Sequence, residues 1–327
     1  MDDKIKEYQG MVEKVLQRDY FPKKEGWQIE SQIITKNNNV KLAGITIQKN
    51  KEDKVAPTIY VDDYYKNGYS QEAAAQSIYE TYQLTKEERA RFQKEDIKSV
   101  LSFQKVKDKI CYKLINAQKN QELAAHAPHL IVTEDLMLSF YIQYGKDATI
   151  NIGNQFIDLW GLEKDKAAAQ LYELAEANVQ RLHPVSIQTM ADIMKELMPA
   201  DAYDEMGEIE EMLEVKTDMY VITNDAKTNG AAVLAYGRGE ALQGSLEQIS
   251  HDLGKPVNGI YIIPSSIHEI IVIPETDNCD VNEMRAMVMD VNRSQVAEND
   301  VLSDNVFYYN QTEGLKQLTF SSRERSR

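Results

Sequence analysis

Residues 260–275 read IYIIPSSIHEIIVIPE. Two apolar runs, each ended by a proline, flank a short polar stretch. Ile260 and Ile262 fall on one face of a strand, Tyr261 and Ile263 on the other, and Ile270 and Val272 alternate in the same way with Ile271 and Ile273. Runs that are apolar on both faces belong to a sheet covered on both faces. Pro264 and Pro274 stop the strands, since proline has no N–H for the ladder. The pattern predicts an antiparallel hairpin with Ser265, Ser266, Ile267 and His268 at its tip. Serine, histidine and Glu269 so close together also raise the question of a hydrolase nucleophile. An activated serine needs a base, an orienting acid and an oxyanion hole, which neighbours in one turn do not supply. No G-x-S-x-G elbow occurs, so the tip reads as a turn.

Upstream of this hairpin a pattern recurs. LMLSFYIQY, GKDA, TINIG and NQFIDLWGL read strand, turn, strand, glycine and helix. DMYVITN, DAKTNG, AAVLAY and GRGEALQGSLEQISHDLG read the same way. The expectation is a repeated strand–strand–helix unit. Downstream, residues 281–299 set Met284, Met287, Val288 and Val291 on one helical side, where methionine serves as core filler. NVFYYN is a last strand, and residues 313–327 form a frayed tail.

Nearer the N-terminus, Ile5, Tyr8, Met11, Val12, Val15 and Leu16 recur at helical spacing until Pro22 and Gly26 break the run. WQIESQII and VKLAGITI flank TKNNN, whose asparagines suit a turn with positive φ. PTIYVDDYY is a third strand, and Ser70 is an N-cap for the following helix. Residues 98–116, with Val100, Leu101, Phe103, Val106, Ile110 and Leu114, read as another helix. The fold class is α+β: antiparallel strand groups alternating with helices in two lobes. The expected lobes are 1–200 and 217–312, joined by an acidic helix or linker at 201–216. That linker has seven acids and no base over DAYDEMGEIEEMLE, which predicts a solvated surface.

The chain has 327 residues and a net charge of −15, from 52 acids against 37 bases. An acidic surface repels phosphate backbones, so no nucleic acid is expected as a partner. Mean hydropathy is −0.50, and no apolar run approaches the ~18 residues of a membrane span. The charged first residues lack a signal-peptide core, and Cys111 and Cys279 have no metal or disulfide spacing. A cytoplasmic protein fits both observations.

Other chemistry-bearing residues resolve into ordinary structure. Gly237 and Gly239 stand between a predicted strand and helix, where phosphate could bind. Leu242 replaces the third glycine, Glu240 would repel phosphate, and no P-loop exists. His126 and His129 have zinc spacing, yet Pro128 interrupts the helix and no third ligand lies near. Asp62 and Asp63, neighbours on a strand end, would point to opposite faces. Arg181 and His183 end a helix that Pro184 stops, and a cation there complements the helix dipole.

TIYVDDYY, TEDLMLSFYI, NIGNQFIDLWGL and LYELAEANVQRLHP, taken in order, resemble a family of uncharacterised intracellular proteins widespread in anaerobic Gram-positive bacteria, carried as a domain of unknown function. Their order is also similar to a shorter uncharacterised Bacillus-type family, with its A-x-x-N step at Ala175 and Asn178 here. The resemblance covers most of residues 57–310. It implies a cytoplasmic bacterial setting, no established activity and no site residues. Together these readings give a non-catalytic binding or accessory protein with another protein as partner. No catalytic, cofactor or metal residue is assigned. The competing readings are a hydrolase whose site is assembled from distant residues, and an acidic DNA mimic.

Overall fold

The structure, a computed structural model, describes residues 3–49, 56–87, 97–144, 149–197, 219–224, 226–264, 266–276 and 279–318. Its contacts divide the chain into two units, Met1–Lys105 and Val106–Arg327. The fold is α+β with three antiparallel sheets, as the strand and helix periods predict.

In the first unit, β1 (Gln28–Thr35) and β2 (Lys41–Gln48) form the expected hairpin. Asn38 and Asn39 take φ of 59° and 58° at its turn, a region asparagine tolerates better than most residues. β3 (Thr58–Tyr60) completes a three-stranded sheet in the order β1-β2-β3. The Asp3–Val15 helix buries Tyr8, Val12 and Val15 on one stripe, which leaves Met11 exposed. Buried Gln9 lies on that side too and donates to the carbonyls of Gly44 (2.7 Å) and Gln32 (3.2 Å), pinning helix to hairpin. Ser70 caps the Gln71–Leu84 helix by accepting from the Ala73 N–H at 3.2 Å. Ala43, Ile45 and Ile47 on β2 meet both helices in one core.

The second unit holds two sheets. The four-stranded sheet pairs β4 (Ile110–Asn116) and β5 (His129–Ile131) on either side of β6 (Leu136–Gln143), and β7 (Thr149–Asn151) also pairs with β6. β4 corrects the helix expected over residues 98–116, of which only short helical turns before Ile110 remain. Val106, Ile110 and Leu114 are four residues apart, a spacing that satisfies a helix and a period of two equally well. The run ICYKLIN, buried at six of its seven positions, decides for a strand covered on both faces. Tyr112 stacks on Tyr172 of the Lys164–Leu182 helix, with ring centroids 5.6 Å apart.

The second sheet runs β13-β12-β10-β11-β9-β8. At its centre β10 (Gly259–Ile263) and β11 (Ile270–Pro274) form the predicted hairpin, with Ile260, Ile262, Ile270 and Val272 fully buried. Half-buried Tyr261, Ile271 and Ile273 pack on the other face against a cluster containing Met284 and Val288 of the Val281–Ser294 helix, while Met287 is exposed. Outside the hairpin lie β9 (Tyr220–Asn224) and β8 (Val185–Thr189) on one side. On the other side are β12 (Phe307–Asn310) and β13 (Gly314–Gln317).

Three further expectations change. AAVLAY is not a strand but part of a 3-10 helix, Gly230–Gly239, so the strand–strand–helix unit does not repeat. Gly230 packs so tightly that a Cβ would fall on the His268 carbonyl and 2.5 Å from Thr223 Oγ1, and small Ala231 and Ala232 allow residues 230–235 to be buried behind it. The predicted tail from residue 313 begins instead with β13, because Gly314, at φ 70°, turns the chain back along β12. The lobe boundary expected at 201–216 gives way to one after Lys105, since β8 pairs with β9 over five residues across that segment. Residues 201–218 themselves lie outside the described residues.

A polar tie links the two sheets of this unit. Asn116 donates to the Leu302 carbonyl at 2.8 Å. Asp135, in the β5–β6 turn, accepts from Ser303 (2.5 Å) and Asn305 (2.7 Å), and its N–H donates to Gln317 at 3.1 Å. The turn after β5 is thereby held beside the end of β13.

Candidate functional site

Several of the chemistry-bearing residues read from the sequence have structural roles. Ser265 lies outside the described residues. Ser266 is buried, pairs with Val301 in a β-bridge, and accepts the His268 backbone N–H at 3.0 Å. The His268 ring has other partners: Nδ1 accepts the Asn229 N–H at 3.4 Å and Nε2 stands 3.6 Å from Asp300. A serine that binds its neighbour's main chain is not activated by that neighbour's imidazole. Gly237 and Gly239 sit inside the 3-10 helix, so the strand-to-helix turn needed for a phosphate cradle is not formed there. His126 ends the Gln121–His126 helix, and His129 Nδ1 bonds the Ala127 carbonyl at 3.0 Å. Among the described residues no group of three His, Cys, Asp or Glu side chains is placed to hold a metal ion.

The adjacent aspartates diverge, though on a helix rather than a strand. The Asp62–Lys66 helix follows β3 directly; Asp62 is buried and accepts the Ala43 N–H at 2.8 Å, while Asp63 is exposed. Arg181 stands in the last turn of its helix, as expected. Its guanidinium donates to the Asp108 carbonyl (2.6 Å) and to Asn178 (3.3 Å). Asn178, buried on the core stripe of the same helix, donates to the carbonyls of Lys107 (2.8 Å) and Ile110 (2.9 Å) and so fixes where β4 begins. Sequence reading missed this role; its signal is an amide on the buried stripe that carries Ala167, Leu171 and Ala175. His183 is buried too. Its Nε2 lies 3.3 Å from the Tyr141 hydroxyl, Nδ1 has no partner among the described residues, and burial lowers its pKa. On β4 opposite Tyr141, the Cys111 thiol is pushed up to about 12 by burial, which keeps it protonated and unreactive.

A different place has the character of a site. A half-open groove of about 490 Å³ is lined by Leu130, Ile131, Val132, Leu138, Ala169, Tyr172, Glu173, Leu234, Ala235 and Leu315. Its walls come from β5 and β6, the Lys164–Leu182 helix, the Gly230–Gly239 coil and β13. Ala169, Tyr172 and Glu173, at helical spacings of three and four, form one wall. The Tyr172 hydroxyl donates to the Ala235 carbonyl at 2.9 Å and fastens helix to coil. Ile131 is 63% exposed. Its lining side chains are mostly apolar, while polar atoms make up close to half of the lining surface, and the exposed Glu173 is its one charge. A volume within ~300–1,000 Å³ and mostly apolar lining side chains are usual traits of a ligand site.

The groove's residues are dispersed from 130 to 315 and form no sequence motif. Two other clefts are lined mainly by polar and charged side chains. One, of about 620 Å³, mixes Asp108 with Lys109 and Arg181; the other, of about 450 Å³, gathers Asp192, Glu196 and Asp252. In the second, Asp192 accepts from Thr189 at 2.6 Å and Glu196 accepts from Gln188 at 2.9 Å.

No helix of the described residues is long and apolar enough to cross a membrane. No curated protein and no solved structure matches the chain. A family model does, over residues 5–311, and its reach across both units shows that the chain belongs to DUF5688, a family of unknown function.

Proposed function

We propose that the chain is a non-catalytic binding protein whose recognition surface is the apolar groove beside β5. The observation that carries this reading is the convergence of apolar side chains from both sheets of the second unit on a concavity they leave open. Elsewhere three of the titratable side chains singled out by the sequence hold turns and strands: Asp62 on Ala43, His129 on Ala127 and His268 on Asn229. A cytoplasmic setting accords with two free thiols. Nile red, a neutral polarity-sensitive dye, tests the groove. Wild-type protein should enhance its emission, and Ala169→Trp, a change at an exposed helical position on the groove wall, should abolish that enhancement without moving the melting temperature. Enhancement that survives Ala169→Trp would place the apolar site elsewhere and end this reading.

A further inference from the structure

The groove runs along an open sheet edge, and the hydrogen-bond phase shows which groups face it. Leu130, Ile131 and Val132 are consecutive, yet all three line it. Successive side chains of a strand point to opposite faces, so a cleft that meets all three follows the edge of the strand, not one face. β5 pairs only with β6 among the described strands. Val132 N–H donates to the Leu136 carbonyl at 2.8 Å. In an antiparallel ladder the bonded positions alternate, so Leu130 also points its N–H and C=O at β6, opposite Leu138, and Ile131 turns both outward. The far wall repeats the arrangement. Leu318 N–H donates to the Val306 carbonyl at 2.9 Å, which sets Lys316 inward and Leu315 outward on β13, the terminal strand of its sheet. Among the described strands, two edges therefore present main-chain donors and acceptors to one cleft whose side chains are mostly apolar.

From this geometry we propose that the occupant is an extended segment of a partner protein that adds as a strand to the β5 edge. It carries apolar residues at alternate positions and a lysine or arginine opposite Glu173. The inference rests on the binding role proposed above and names its ligand. Main-chain pairing to Ile131 gives affinity, and the apolar cleft accepts every second side chain. Glu173 supplies charge selection, since it makes no ion pair among the described residues and the groove's lining includes no cation. The net charge of −15 favours a basic segment in the same sense.

The test uses the full chain and three synthetic eight-residue peptides followed by fluorescence anisotropy. One alternates valine and threonine with a single lysine. The second has glutamate in place of the lysine. The third is the lysine peptide N-methylated at alternate amides along one edge. The lysine peptide should bind at least tenfold more tightly than the other two. Ile131→Pro removes an outward N–H and no ladder bond, so it should weaken binding at least tenfold. Glu173→Lys, at an exposed position, should invert the preference between lysine and glutamate and serves if the proline variant misfolds. Peptide binding indifferent to N-methylation and to Glu173→Lys would overturn strand addition. Failure of all peptides while Nile red still enters, and is still blocked by Ala169→Trp, would overturn the peptide ligand and leave the groove as a small-molecule site. Failure of peptides and dye together would remove both readings. Concentration-dependent dimerisation in sedimentation velocity, broken by Ile131→Pro, would put a second copy of this chain on the edge and overturn the partner segment.

Discussion

Two residues in one buried corner, His183 and Cys111, carry measurable consequences for protonation and reactivity. Burial lowers the His183 pKa below its ordinary 6.5, so the folded chain keeps the ring neutral where the unfolded chain takes up a proton. Stability from this group is therefore complete above about pH 6.5 and declines as pH falls through the window between that value and the depressed one. Urea midpoints measured from pH 7.5 to 5.5 should fall, and His183→Gln should flatten that decline. Equal slopes in the two proteins would show that folding does not perturb the ring. Cys111, fully buried and protonated, should resist iodoacetamide in the native protein, whereas the partly exposed Cys279 should react. One equivalent before unfolding and a second in denaturant is the expected count; two native equivalents would contradict the packing of β4. The sequence around this corner suggested a helix end with a dipole-matched cation. It did not disclose that Arg181 and Asn178 reach the carbonyls of residues 107, 108 and 110, because those partners are some seventy positions away.

At the scale of elements, legibility followed whether a pattern fits one period or two. The β10–β11 hairpin was readable because residues 260–263 and 270–273 are apolar throughout, too short for helices, and bracketed by prolines. The β1–β2 turn was readable because asparagine is one of few residues at ease with positive φ. β4 was not, since its fourfold spacing matches both periods. The Gly230–Gly239 coil was not either, since the close approach of Gly230 to His268 and Thr223 is made by residues nearly forty positions away on one side and in the preceding strand on the other. The groove inherits this opacity: it depends on which strands end up as sheet edges. The hairpin yields a graded prediction. Ile262 is fully buried between Val272 and Phe307. Ile262→Val should cost about 1 kcal/mol and Ile262→Ala about 2–5 kcal/mol. Ile262→Asp should cost more than ~3 kcal/mol, because it buries a carboxylate with no cation to pair with. Guanidinium melts would measure the series, and an Asp variant as stable as the Val variant would refute a doubly covered hairpin.

The molecule as a whole divides where the sequence offered no composition shift. The conspicuous acidic stretch drew the predicted boundary to 201–216, yet sheet pairing of β8 with β9 joins the chain on either side of it. A boundary is set by where contacts thin out, not by local charge. The first unit's core cluster draws its buried residues from Tyr8 to Tyr82, all before Lys105, so it has the apolar interior that an autonomous domain needs. The second unit contains both larger sheets and every residue that lines the groove, from Leu130 to Leu315. Residues 106–327 expressed alone should therefore melt cooperatively and bind Nile red with the affinity of the full chain, and Ala169→Trp should abolish that binding in the fragment too. A break at residue 200, the boundary the acidic stretch suggested, would separate β8 from β9 and leave β9 as a new open edge. Residues 201–327 should accordingly be less soluble and less stable than residues 106–327. Calorimetry and dye binding on the two fragments side by side decide between the boundaries: a cooperative, dye-binding 201–327 and an unfolded 106–327 would reverse the assignment.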